Sequence, residues 1–407
     1  MTNIWYIHPY AGGPGIGRYD RPFHLANSWK KKNYNPVIIC PSYHHLLDQE
    51  QLPGMLMVEG AAYEFLASSK YKGNGLGRMK HMLLFGFKLL KQYKELSKRH
   101  GKPQVIIASS PHPYIVLAAY SLAVRTKARF IFEVRDLWPL SLVELAGLNK
   151  YHPLVLFTAL FERGAYRKAD SVVSLLPETR DFMCSRGLKP ENWCYIPNGV
   201  LTDFGAEEVS SPCLDFAEDK IRQGCKVVVY AGALGIPNNL ELLLNAIEDF
   251  KHQGGDGLHF ILIGRGERKQ AIEKKIHDCG LSAEVTLFDQ VPKAVVQRLL
   301  SIVSFGFISL KPENIFKYGV SPNKLFDYML AKLPVIYAIN SGNTPVSDCG
   351  CGISCDPSDY QSVSRALKQA SELSSDELVE MGQAGYDYAM QNHNYEALAS
   401  AYEKLFR

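Results

Sequence analysis

The chain has 407 residues, 46% of them hydrophobic and 21% charged, with a formal net charge of +4. This composition excludes a disordered chain and a general nucleic-acid binder, and the length suits two domains with a core each. Nine scattered cysteines fit a reducing compartment, and no second Cys/His cluster joins Cys349, Cys351 and Cys355, so no metal site is expected. Residues 1–7 lack the basic and apolar regions of a signal peptide, and no apolar run reaches the ~18 residues of a membrane span. A cytoplasmic protein, soluble or attached to a membrane surface, is the expectation.

Residues 4–7 read as a strand, 11–17 as a Gly-rich loop, 18–32 as a helix and 36–40 as a second strand. That order opens a parallel α/β domain. The loop is G-G-P-G-I-G rather than G-x-G-x-x-G, and no acid follows the second strand to hold a ribose, so a dinucleotide fingerprint is missing. Its glycines, including Gly13, Gly15 and Gly17, either close a tight turn or let a ligand approach the backbone. Residues 54–77 read as a surface excursion. Residues 78–99 carry Arg78, Lys80, Lys88, Lys91, Lys94, Lys98 and Arg99 against Glu95 alone, around an apolar centre at 82–90. This is either an outer helix with a basic exposed face or a helix lying on an anionic membrane.

Strands at 105–108 and 129–134 end at His112 and at Glu133, Arg135 and Asp136. Open parallel sheets bind ligands at the carboxyl ends of their strands, so these four titratable groups are site candidates. Helices at 154–167 and 178–186 flank a strand at 171–175. The stretch after residue 200, to about 223, reads as irregular and holds the domain boundary. The expected domains are 1–200 and 201–394, with a last helix in 395–407 reaching back to the first.

The second domain repeats the pattern with strands at 227–230, 260–263, 285–288 and 303–310. Its strand-end loops carry Gly232, Arg265, Asp289, Gln290 and Val291. In the segment 320–337, Ser321 reads as an N-cap, Pro322 as the first helical position, 323–333 as the helix, and Pro334 as its stop. Free N–H groups and the dipole at such a start form an anion site, to which Lys324 adds a charge. Asp327 lies one turn on. The pair is either a surface ion pair or a phosphate contact beside a carboxylate for sugar hydroxyls. Two domains with facing loops leave a cleft for a ligand.

In this order and spacing, the Gly12–Gly17 loop, Val134-Arg135-Asp136-Leu137-Trp138-Pro139, Ile196-Pro197-Asn198-Gly199-Val200, Tyr230-Ala231-Gly232, Ile263-Gly264-Arg265-Gly266 and Ser321-Pro322-Asn323-Lys324-Leu325-Phe326-Asp327 resemble the retaining GT-B glycosyltransferases of family 4. The likeness is greatest to the branch that builds bacterial surface polysaccharides and aminosugar-containing O-antigens, and it covers nearly the whole chain. It implies two Rossmann-like parallel-sheet domains facing across a cleft. It further implies transfer of a sugar, an N-acetylated aminosugar by this branch, from a UDP-sugar to a lipid-linked or saccharide acceptor, with no cofactor.

By the resemblance, the diphosphate lies on Ser321, Pro322, Asn323 and Lys324 with Arg265 assisting. The ribose lies on Asp327, and the base at Asp289–Val291 beside the Gly232 loop. Gly13, Gly15, Gly17, Arg135 and Asp136 face the transferred sugar and the acceptor, with His112 as a further polar group there. Two departures stand out. The family's Glu-x7-Glu motif has Gly319 in place of its first Glu, with Glu313 nearby but out of register. Ile236-Pro237-Asn238-Asn239 replaces an Arg/Lys pair that grips the diphosphate in many relatives. A UDP-sugar epimerase and a silent sugar-nucleotide-binding subunit remain alternatives, the latter favoured by Gly319.

Overall fold

The computed structural model describes residues 1–71, 73, 76–200 and 209–407. They fall into two compact units, residues 1–199 with 395–407, and residues 200–394.

The first unit contains β1 (Asn3–Ile7), α1 (Arg21–Lys31), β2 (Asn35–Pro41), β3 (Gly54–Val58), β4 (Ala61–Leu66), α2 (Leu76–His100), β5 (Val105–Ser110), α3 (Val116–Thr126), β6 (Arg129–Val134), α4 (Leu140–Glu144), α5 (Pro153–Lys168), β7 (Ser171–Ser174), α6 (Arg180–Ser185) and β8 (Trp193–Tyr195). Its sheet runs β3-β4-β2-β1-β5-β6-β7-β8, parallel throughout except that β3 is antiparallel to β4. The central strands are apolar on both faces because helices cover both, the usual state of a parallel sheet.

The second unit contains α7 (Pro212–Arg222), β9 (Lys226–Ala231), α8 (Leu240–His252), β10 (Leu258–Ile263), α9 (Lys269–Asp278), β11 (Val285–Phe288), α10 (Lys293–Leu300), β12 (Phe305–Ser309), α11 (Asn323–Leu330), β13 (Val335–Ala338), α12 (Pro345–Cys349), β14 (Gly352–Ser354), α13 (Tyr360–Glu372) and α14 (Ser375–Asn392). Its all-parallel sheet runs β11-β10-β9-β12-β13-β14. The last helix, α15 (Tyr395–Glu403), belongs to the first unit.

Several expectations are corrected. The excursion at 54–77 contains the β3–β4 hairpin, and β4 is buried beside β2. Only residues 72, 74 and 75 of it lie outside the described residues. The stretch read as irregular holds α7, whose Cys213, Leu214 and Ala217 pack into the core; residues 201–208 of that stretch lie outside the described residues. α11 stops at Leu330, three residues early, because Lys332 turns to positive φ ahead of Pro334. Its N-cap position is Pro322, and the Ser321 hydroxyl caps nothing.

Glu133 is no site residue. It is fully buried, and its carboxylate accepts from Arg21 Nε (3.0 Å), Tyr6 (2.9 Å), Ser109 (2.7 Å) and the Tyr402 hydroxyl. Burial pushes its pKa up, but Arg21 and these hydroxyls outweigh that and hold it below the usual carboxylate value. Arg21 also donates to the Ile196 and Pro197 carbonyls. Tyr402 lies on α15, and Trp29 of α1 donates to Ala399 of the same helix (3.2 Å). One buried ion pair thus ties together β6, α1, the loop after β8 and the C-terminal helix.

α2 has two faces. Met82, Phe85, Leu89 and Leu96 are buried, while Lys80, Leu83, Phe87, Lys91, Lys94 and Lys98 form an exposed stripe at steps of three and four residues. Some of its bases are engaged: Arg78 donates to Tyr10, Lys88 to the Ala67 carbonyl, and Arg99 to Glu64.

Removing one partner of a buried ion pair strands the other charge. Glu133→Ala is expected to lower the unfolding free energy by about 3–5 kcal/mol in denaturant titration.

Candidate functional site

In the second unit the residues around Lys324 come together. α11 places Lys324 one residue into the helix, and its side chain lies across the backbone of Gly232 at the end of β9. A Cβ on Gly232 would stand 2.6 Å from Lys324 Cε, so this close passage requires glycine. Lys324 Nζ donates to the Tyr230 hydroxyl (2.8 Å) and to Asn238 Oδ1 (3.0 Å), and sits 4.2 Å from the Tyr230 ring centroid. Burial alone lowers its pKa to about 8. The ammonium is therefore taken from water and given two neutral oxygen partners and a ring face. Beside it the Ser321 hydroxyl is buried with no partner among the described residues.

The neighbouring loops are welded together by backbone bonds. Gly232 N–H donates to Ile263 (2.9 Å), Leu234 N–H to Arg265 (2.9 Å), and Gly264 N–H to Phe288 (3.2 Å). The ends of β9, β10 and β11 thus form a continuous rim. Arg265 is exposed on it. Gln290 is exposed, Val291 packs against the core, and Asp289 bonds to Lys269 (2.6 Å), so that carboxylate is already engaged. Pro322, Asn323 and Asp327 lie on or just before the first turn and a half of α11.

Glu313 is exposed and lines a cavity of about 380 Å³ with Asn314, Lys317, Asn340 and Ser341. The chain reaches this cavity directly from the Lys324 site. Ser309 donates to the Asn238 carbonyl (2.5 Å), and Lys311 N–H to Pro237 (2.8 Å). Asn343 then clamps Val320, accepting from its N–H (2.8 Å) and donating to its carbonyl (3.0 Å). Gly319 has φ +99° and ψ 166°, a conformation essentially confined to glycine. A glutamate at 319 would be strained in this conformation.

In the first unit a second group gathers at the ends of β1, β5 and β6. Arg135 lies with its guanidinium 3.5 Å from the Tyr19 ring, which stacks on His8 at 4.8 Å. His112 is buried, stacked on Tyr114 and 5.8 Å from the Tyr10 ring; burial lowers its pKa to about 3, with Arg78 adding to the shift. A neutral His112 is no acid at pH 7. Asp136 has open surface but enough protein around it that desolvation raises its pKa, opposed by Arg135. The Gly-rich loop mostly serves its own packing. Gly13 and Gly17 pair as a bridge, a Cβ on Gly17 would stand 2.5 Å from the Leu46 carbonyl, and Tyr63 and His44 hold the Gly12 and Ala11 carbonyls (2.7 and 3.0 Å). Gly15 faces open space.

Tyr230 and Asn238, which hold Lys324, and Trp138 stood in the quoted motifs without a site role, and His8 and Tyr19 escaped the sequence reading. His8 follows directly on β1, so the strand-end rule that singled out His112 applies to it equally.

Residues 22–204 match the family described as Glycosyltransferase Family 4, and residues 214–388 the family described as Glycosyl transferases group 1. Between them the two matches take in most of both units. The chain is a glycosyltransferase of this family 4 and group 1 type. No curated protein matches its sequence. Among solved structures, the glycosyltransferase resembles sucrose-phosphate synthase from Thermosynechococcus elongatus (TM-score 0.73, 13% identity, covering 100% of this chain and 98% of that one). It also resembles HepE of Anabaena in complex with UDP and glucose (TM-score 0.63, 14% identity, 99% of each chain). A third is WaaG, a glycosyltransferase involved in lipopolysaccharide biosynthesis (TM-score 0.64, 13% identity, 99% of each chain). At these identities the likeness is one of fold, the GT-B architecture of two parallel-sheet α/β domains.

Proposed function

We propose that this glycosyltransferase moves a sugar, by its family branch an N-acetylated aminosugar, from a UDP-sugar to a lipid-linked or saccharide acceptor in surface-polysaccharide synthesis, with retention of configuration. The observation that carries the donor assignment is Lys324, a desolvated cation whose hydrogen bonds go to a phenol and an amide. The diphosphate supplies the missing anion, with the unpartnered Ser321 hydroxyl and the α11 N-terminus as further donors. UDP in the HepE structure is consistent with this donor. Arg265 assists at the diphosphate, Asp327 takes the ribose, the Asp289–Val291 loop the base, and the Glu313 cavity the transferred sugar. Glu313 then stands in for the carboxylate that Gly319 excludes.

In the transfer the bond from the anomeric carbon to the β-phosphate oxygen breaks, and a bond to the acceptor oxygen forms on the same face. The acceptor proton passes to the departing phosphate. Lys324 neutralises the charge that builds on that phosphate. Asp136 serves as a hydrogen-bond acceptor on the acceptor side. Neutral His112 serves there by binding, not by protonation. The protein works at the inner face of the cell membrane, the lysine stripe of α2 meeting anionic headgroups and Leu83 and Phe87 the acyl boundary. No helix among the described residues is long and apolar enough to cross a membrane.

Lys324→Ala is expected to cut UDP release by ~10²–10³-fold while the chain stays folded; normal turnover in that variant refutes the role. UDP binding also depends on pH. Lys324 in the free enzyme is charged below about 8, and the bound diphosphate favours the charged form. Calorimetric UDP affinity is therefore expected to hold below that pH and to weaken above it, by up to about tenfold per unit. In liposome flotation, binding that requires anionic lipid and falls with salt is expected, reduced by Phe87→Ser; binding indifferent to lipid charge counts against the membrane contact.

A further inference from the structure

We propose that the carboxyl edge of the first unit's sheet binds an oxyanion carried by the acceptor, a phosphate or a sugar carboxylate, through His8, Arg135 and Trp138; this rests on reading that unit as the acceptor side.

The register brings three strand ends side by side. Ile7 of β1 pairs with Ala108 of β5, and Ser110 of β5 with Val134 of β6. His8, Ser110 and Arg135 therefore emerge next to one another. Six buried polar atoms at this edge have no hydrogen-bond partner among the described residues: His8 Nε2, the Tyr19 hydroxyl, Ser110 Oγ, His112 Nδ1, Arg135 Nε and Trp138 Nε1. His8 is 0% exposed, and Ser110 and His112 are 1% exposed. Native proteins rarely leave buried polar atoms unmatched, and a cluster of six marks a place where a ligand completes the bonding.

The polarity of the cluster says which ligand. The Tyr10 backbone N–H donates to His8 Nδ1 (3.1 Å). A backbone N–H can only donate, so in the neutral ring the proton sits on Nε2. The ring is neutral because burial, reinforced by the Arg135 charge, holds its pKa well below the ordinary value. His8 Nε2, Arg135 Nε and Trp138 Nε1 are then fixed donors. The two hydroxyls and His112 adapt to either role, and the six include no fixed acceptor. A neutral sugar brings a donor with every hydroxyl it offers as acceptor. A phosphate or carboxylate brings acceptors alone.

Charge points the same way. Arg135 lies over Tyr19, and Arg78 is held by the Tyr10 hydroxyl (2.9 Å) near enough to His112 to contribute to its lowered pKa. The Glu133 carboxylate beneath is already engaged by Arg21. Asp136 opens to solvent on the same loop, where it can accept from a hydroxyl of the same acceptor.

The test uses the full chain with ¹³C-labelled histidine rings, kept saturated with UDP so that the Lys324 site is filled. His8 and His112 signals are assigned by their loss in His8→Gln and His112→Gln. Glucose 1-phosphate, glucuronate and glucose are titrated separately. Movement of these signals with the phosphate or the carboxylate, at least tenfold tighter than with glucose and weakened at least tenfold by Arg135→Met, supports the site. The phosphate arm alone identifies a phosphate-bearing acceptor, and the glucuronate arm alone an acidic sugar. No movement with either anion, or equal movement with glucose, overturns it. UDP binding recorded in the same samples shows separately whether the donor assignment stands, and Trp138→Phe, which keeps the ring and removes the donor, covers the case in which Arg135→Met fails to fold.

Discussion

A lysine ammonium held out of water is the constraint on which the strand-end site of the second unit depends. Desolvating a cation is costly unless charge or strong hydrogen bonds replace the lost water. At Lys324 the replacement is partial: a phenol, an amide oxygen and a ring face. Three neighbouring features follow from placing it there. Gly232 has no side chain because Lys324 lies against its backbone. Tyr230, next to last in β9, has its hydroxyl turned to the amine. Asn238 presents a neutral acceptor oxygen to the amine, which is what a single buried lysine needs. The proton affinity of Lys324 is thereby set by its desolvation.

The first unit is organised by the opposite case, a buried charge pair that is fully satisfied. Glu133 and Arg21 meet with hydroxyls filling the remaining positions, so the pair is structural and joins the C-terminal helix to the sheet. One strand end further along, the polar atoms of His8, Arg135 and Trp138 are unfilled. Two residues of one short sequence run, Glu133 and Arg135, thus serve different ends. Glu133 lies inside β6, where its carboxylate meets Tyr6 and Arg21, whereas β6 ends at Val134 and the loop carries Arg135 out over Tyr19.

Much of the fold was legible because parallel strands buried on both faces write themselves as short apolar runs. Residues 105–108, 227–230 and 260–263 read that way, and their strand-end loops could be picked out directly. What was illegible has specific causes. The β3–β4 hairpin has a half-exposed partner strand, so its alternation is blurred by Met55, Leu56 and Met57 standing in solvent. The helix α7 is short, and its three buried positions are diluted by acids. Ser321 looked like an N-cap by residue type, but the first helical turn starts one residue later and leaves its hydroxyl unbonded. Glu133 looked like its neighbours Arg135 and Asp136 until packing showed where its carboxylate points.

The sequence alone determined two parallel α/β units, the helix start at 321–324 and the family, because these rest on local periodicity, turn chemistry and the order of short motifs along the chain. Tertiary structure decided which polar groups are already satisfied and which are waiting. Tyr230 is 94 residues from Lys324 and Asn238 is 86; Tyr402 is 269 from Glu133. Hydrogen bonds over such separations leave no periodic trace, since each depends on strand register and helix packing. That is why Lys324 and Gly232 could both be named from the chain, while the contact between them and the partners that make Lys324 a desolvated cation could not.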